Sequence, residues 1–170
     1  MKKTYRMILA AMALCLAMSA CSSPQYNEGS NDQYRLGEAL LLAIVDHQTD
    51  TARRLIKAGA PINYQDRFDK WSPLMYALYY ENWDTAKYLI TIGANVNLAD
   101  RDNRTPLMFA AMKDYITVVK MLIDNKADLN ARDNGGRSAL DYALIYDRDN
   151  IAQYLVMCGT IPRTEPLTEK

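Results

Sequence analysis

Ser72-Pro-Leu-Met-Tyr-Ala77, Thr105-Pro-Leu-Met-Phe-Ala110 and Ser138-Ala-Leu-Asp-Tyr-Ala143 are variants of one hexapeptide, met three times at intervals of 33 residues. A second register follows each of the first two and precedes the first: Gly59-Ala-Pro-Ile-Asn63, Gly93-Ala-Asn-Val-Asn97 and Lys126-Ala-Asp-Leu-Asn130. Its first interval is 34, because Asp66 to Ser72 holds one residue more than Asp100 to Thr105. Between the two registers apolar residues recur at i, i+3 and i+4, as one face of a helix requires. One such stripe is Ala52/Leu55/Ile56, Ala86/Leu89/Ile90, Val119/Leu122/Ile123 and Ala152/Leu155/Val156. The other is Leu40/Ala43/Ile44, Leu74/Ala77/Leu78, Leu107/Ala110/Ala111 and Leu140/Ala143/Leu144. Each unit is therefore a turn and two short antiparallel helices, and no unit can bury its apolar faces alone.

The hexapeptide explains itself chemically. Ser or Thr caps the first helix, its oxygen accepting an orphan backbone N–H. Pro in the first turn loses no hydrogen bond and presets φ. The repeated Ala lets neighbouring helices come close, and Gly59 and Gly93 suit the left-handed residue that ends the second helix. At the turn between the two helices stand Glu81, Asp114 and Asp147. Asp tolerates the left-handed conformation better than Glu, so a looser turn is expected near Glu81.

In these three registers the chain resembles the ankyrin repeat, with its period of 33 and its T-P-L-H-x-A signature. The likeness runs over about residues 36 to 160. It implies an all-α solenoid of about four helix-turn-helix repeats joined by β-hairpin turns. The His of the signature is replaced by Met75, Met108 and Asp141, so its usual hydrogen bonds between repeats are not expected. Repeat one lacks the front hairpin and repeat four has Ala139 for Pro, as terminal capping units do.

The N-terminus carries a different message. Lys2, Lys3 and Arg6 precede Met7 to Ala20, 14 apolar or small residues. That run is too short to cross a hydrocarbon core of about 30 Å as a helix and reads as a secretory signal. Met18-Ser-Ala-Cys21 resembles the lipobox of bacterial lipoproteins, with Met where Leu is usual. The resemblance implies cleavage before Cys21 and its acylation. Ser22 after the cysteine implies sorting to the bacterial outer membrane, lipid-anchored and facing the periplasm. The expected organisation is a signal peptide over 1–20, lipidated Cys21 with a polar flexible tether over 21–33, a repeat domain over 34–160 and a flexible tail over 161–170.

Charge narrows the function. The chain holds 20 basic and 20 acidic residues, and loss of residues 1–20 removes three cations and no acid, leaving −3. No long block of like charge appears, which argues against nucleic acid while leaving room for a local basic patch. With Cys21 acylated and Cys15 cleaved off, Cys158 is the remaining thiol, so no internal disulfide is expected. His47 is the only histidine, which excludes most metal sites and the His-dependent nucleophile pairs. It reads as a solvated turn residue, as Asp147 and Asp149 read as a solvated acid pair. Asp133-Asn-Gly-Gly136 reads as a hairpin tip, not a phosphate loop. Neither catalysis nor a cofactor is expected.

Ankyrin proteins bind through their hairpin tips and first helices, along the concave face. Carried over by register, the expected protein-binding residues are Arg67, Phe68, Lys70 and Trp71; Tyr79 and Tyr80; Arg101 and Arg104; Met112 and Lys113; Arg137; and Tyr146. Asp102, Asn134 and Ile145 fall on the same positions. Aromatics and arginine are enriched in interface hot spots, and the cations point to a partner with an acidic surface around an apolar anchor. The expected molecule is a monomer when unbound. Small periplasm-facing lipoproteins resemble immunity proteins that neutralise delivered antibacterial toxins such as lipases; the alternative is a scaffold or accessory subunit of an envelope complex for transport or stress defence.

Overall fold

The computed structural model describes residues 28–160. The signal segment, Cys21, the first part of the tether and the tail over 161–170 lie outside the described residues. Among the described residues eight helices form four antiparallel pairs: α1 (Glu28–Val45) with α2 (Thr49–Lys57), α3 (Pro73–Tyr79) with α4 (Trp83–Thr91), α5 (Pro106–Ala111) with α6 (Ile116–Asp124), and α7 (Ala139–Ile145) with α8 (Asp149–Met157). The first helices pack in sequence, α1 on α3, α3 on α5 and α5 on α7, and the second helices form a parallel outer row. One continuous core runs down the stack, with Leu40, Ile44, Leu74, Leu78, Leu107, Leu122 and Leu155 all buried.

Helix starts follow the hexapeptide. Ser72 and Ser138 accept the N–H of Met75 and Asp141 at 3.3 Å each, while Thr105 Oγ1 is buried without a partner. The residues replacing the signature His face back onto the cap. Met75 and Met108 Sδ accept the N–H of Ser72 and Thr105 at 3.5 and 3.4 Å, and Asp141 accepts the N–H and hydroxyl of Ser138 at 2.7 and 2.8 Å. Helix ends use the left-handed region, with Gly59 at φ 96° and Gly93 at 88°.

Three expectations are corrected. Helix α1 begins at Glu28, so residues 28–33 are helical where a flexible tether was expected. Polar composition alone does not stop a helix from extending beyond the turns that pack. The fingers between pairs contain no strand among the described residues. Each is closed by a backbone hydrogen bond, from Asp66 N to Trp71 O, Asp100 N to Arg104 O and Asp133 N to Arg137 O, at 3.0–3.1 Å, and the second and third add a tight turn, Asn103 N to Asp100 O and Gly136 N to Asp133 O. Such a finger is too short for a ladder.

The third correction concerns the turns between paired helices. His47, Glu81 and Asp147 all adopt positive φ, of 56°, 62° and 55°. In each case the next residue donates back five positions, as Asn82 N does to Ala77 O at 2.8 Å. The turn at Glu81 is thus regular. Asp114 is the departure: it is not in the left-handed region, and Tyr115 N donates to Lys113 O at 2.9 Å instead. Helix α5 correspondingly stops one residue earlier than α3 and α7 do in register.

The stack is open at its last pair among the described residues. Leu78 is fully buried, but its counterpart Leu144 is 55% exposed, and Val156 is 50% exposed where Ile90 is covered.

Candidate protein-binding surface

Each finger is built around a buried carboxylate. Asp66 Oδ1 accepts the N–H of Phe68 and Asp69 at 2.7 and 2.8 Å, and Oδ2 accepts the N–H of Trp71 and the Tyr76 hydroxyl at 3.0 and 3.1 Å. Asp133 repeats the plan. Its Oδ1 accepts the N–H of Gly135 and Arg137, and its Oδ2 accepts Arg137 Nε at 2.9 Å and the Tyr142 hydroxyl at 2.7 Å. Burial pushes the Asp133 carboxyl up, but the Tyr142 hydroxyl and the Arg137 backbone and guanidinium outweigh it and hold it below its ordinary value. Burial and the same carboxylate push the Tyr142 phenol up.

The middle finger differs by one atom. Phe109 stands where Tyr76 and Tyr142 stand, and has no hydroxyl for Asp100. The missing donor comes from the preceding finger: Trp71 Nε1 reaches Asp100 Oδ2 at 3.1 Å, beside Arg104 Nε at 2.8 Å. Adjacent fingers are further stitched by Arg101 N to Asp69 O and Asn134 N to Asp102 O, both at 2.9 Å.

This arrangement divides the expected binding residues. Trp71, Tyr79 and Tyr80 are half-buried in one aromatic cluster rather than freely exposed. Trp71 lies 4.9 Å from the rings of both Tyr79 and Phe109, edge to face, and Tyr79 lies 5.3 Å from Tyr80. Such geometry is favourable for aromatic pairs, and it commits Trp71 to the fold. Arg104 and Arg137 are likewise bound to Asp100 and Asp133 of their own fingers.

What remains presented is smaller. Phe68 is 48% exposed at the first tip. Around it Arg67, Lys70 and Arg101 are exposed and form no ion pair among the described residues. Arg67 lies over the Tyr34 ring at 4.2 Å, and Arg101 Nη2 donates to the Arg67 carbonyl at 3.1 Å. Because Asp66 and Asp100 are buried, the first two tips expose Arg67, Lys70 and Arg101 against one exposed acid, Asp102, which pairs with Arg104 at 3.5 Å. Asp69 beneath them is half-buried, and burial together with Asp66 raises its carboxyl above the ordinary value.

Tyr79, Met112, Lys113 and Tyr146 gather at the opposite edge, where the paired helices turn. With Trp83, Tyr115 and Arg148 they line a groove of about 600 Å³. Lys113 pairs with Glu81 at 2.7 Å, and Trp83 stacks on Tyr115 at 4.6 Å with 19° between planes. The sequence reading missed Trp83, Tyr115 and Arg148, as well as Tyr34. The first three occupy the entry to the outer helices, which the helical stripe pattern reads only for burial. Among the described residues no group of His, Cys, Asp or Glu could hold a metal ion, and no helix is long and apolar enough to cross a membrane. His47 and Asp147 are exposed at turns, Asp149 is exposed at the start of α8, and Cys158 is half-buried and in no disulfide among the described residues.

Stacked helix pairs with protruding fingers define a repeat solenoid of the interaction type. The family described as "Ankyrin repeats (3 copies)" matches residues 9–100 and 85–165, and the chain belongs to the ankyrin-repeat family. That family is a protein-interaction module and not a catalytic one. No curated protein matches the chain.

Proposed function

We propose that this chain is a membrane-anchored, periplasm-facing ankyrin lipoprotein that captures a protein carrying an acidic surface, and that the captured protein is an antibacterial toxin delivered into the periplasm. The observation that carries the reading is the finger edge: Arg67, Lys70 and Arg101, exposed and forming no ion pair among the described residues, share the first two tips with the exposed ring of Phe68. Charge complementarity of this kind steers association and selects partners. An exposed aromatic in a cationic rim is the arrangement of an interface anchor. Support for the address comes from Lys2, Lys3 and Arg6, the apolar run to Ala20 and Cys21. Three acyl chains on Cys21, as on bacterial lipoproteins, exceed the single chain that binds membranes only marginally. An inhibitor held at the membrane stands where a lipase acts, so anchorage and antidote role fit one another.

The test is competition. Cells lacking the gene should die when mixed with toxin-delivering sister cells, and survive once the wild-type chain is restored. Arg67→Glu with Arg101→Glu should fail to restore survival while being present at wild-type level. Equal survival of the deletion strain and its parent removes the antidote role, and a growth defect in pure culture points to an envelope scaffold instead. Mass spectrometry of the mature chain tests the anchor separately.

A further inference from the structure

The groove on the turn edge is lined in part by the irregular third turn, Met112 to Tyr115. In the other three, a left-handed residue brings the chain directly into the next helix. Here residues 112–115 take another path and Tyr115 lies flat against Trp83. The ionic groups around the groove are unequal. Lys113 and Glu81 satisfy each other. Asp114 is exposed and keeps its water. Arg148 is half-buried, donates through Nε to the Met112 carbonyl at 3.3 Å, and forms no ion pair among the described residues.

A cation partly stripped of water and lacking a counter-charge gains most from an incoming anion. The planar guanidinium fork matches a carboxylate in particular. Beside it, the stacked indole and phenol offer an apolar wall. We propose that this groove is a second anchoring site for the protein partner: it takes an Asp or Glu carboxylate on Arg148, with the neighbouring apolar side chain of the same partner loop against Trp83 and Tyr115. This rests on the protein-binding reading and extends it from the finger edge to the opposite edge of the concave face.

A dipeptide tests the site without the partner. The chain has two tryptophans, so its full-length form gives two indole N–H resonances, and Trp83→Phe assigns the reporter. Titration with N-acetyl-Glu-Leu-amide should move the Trp83 signal saturably and leave that of Trp71 in place. N-acetyl-Gln-Leu-amide should bind about tenfold more weakly or worse, because a charge-assisted hydrogen bond is lost. Arg148→Gln should abolish the difference between the two peptides, while Arg148→Lys keeps part of it. Equal response to both peptides, no saturable shift, or an unaltered response in a folded Arg148→Gln chain would overturn the proposal. Failure of the groove leaves the finger variants in the survival assay to be judged on their own result.

Discussion

The two edges of the solenoid follow opposite plans. On the finger edge every loop is closed by a buried Asp that collects backbone and side-chain donors, and the three fingers are joined to one another. On the turn edge no buried carboxylate gathers donors; neighbouring turns are joined by separate contacts, Asn82 Nδ2 to the Ile44 carbonyl, the Lys113–Glu81 pair, the Trp83–Tyr115 stack and Arg148 Nε to the Met112 carbonyl, and one turn of four departs from the rest. The difference shows where the stack can present chemistry. Where acids are used up inside, cations are left outside; where a turn breaks register, its residues line a groove.

The largest expected effect tests the linked edge. Asp100 serves its own finger and the one before it, so Asp100→Ala strands both Arg104 and the Trp71 indole. Removing one member of a buried ion pair costs about 3–5 kcal/mol. Asp133→Ala also strands Arg137 and Tyr142 but involves no second finger, and should cost less. Urea denaturation of the two variants checks the order; equal losses would mean that the fingers are energetically independent.

Next comes the atom that distinguishes the middle finger. Trp71→Phe removes the indole donor to Asp100 and should cost about 1–3 kcal/mol, the range for a buried acceptor losing its partner. Phe109→Tyr in that background supplies a hydroxyl in the register of Tyr76 and Tyr142, and should recover about 1 kcal/mol. No recovery in denaturation midpoint would show that Trp71 acts by packing on Tyr79 and Phe109 alone.

These effects also mark what the sequence disclosed. Helix pairs, caps and the left-handed glycines were legible because periodicity and φ preference are local properties. The fingers' Asp residues recurred in plain sight, at 66, 100 and 133. A carboxylate that organises a loop and one that merely stays hydrated have the same letter, however, and only the direction of its neighbours separates them. Trp71 illustrates the converse. Its position in the repeat marks it as presented, yet the absent hydroxyl of Phe109 draws it inward, a coupling between residues 38 apart in sequence. Helix α1 extended further back than its apolar stripe, since the stripe records packing and not the limits of backbone hydrogen bonding.

Acid separates the fingers in a smaller way. The Asp133 carboxyl is depressed in the folded chain, so its contribution to stability is fully present above the unfolded value of about 3.9. It is lost as pH falls through the lower folded value. Between pH 5 and pH 2 the wild type should therefore lose stability more steeply than Asp133→Asn, which lacks that titration. Identical slopes would mean that Arg137 and Tyr142 do not favour the charged form.

The smallest effect probes the turn edge through two acids at one register position. Asp147 sits at φ 55° with no ion pair among the described residues, and Asp114 stands outside the left-handed region. A side chain in that region costs about 1–2 kcal/mol, somewhat less for Asp, whereas glycine adds about 0.5–1 kcal/mol of backbone entropy loss. Asp147→Gly should consequently stabilise by about 0.5 kcal/mol. At Asp114 there is no strain to relieve, so Asp114→Gly should destabilise by about 0.5–1 kcal/mol. Opposite signs in thermal midpoints would establish that the third turn differs in backbone conformation and not only in side chains. A stabilised Asp114→Gly chain would mean that this turn relaxes into the left-handed form once allowed to, and the groove beside Arg148 should then close with it.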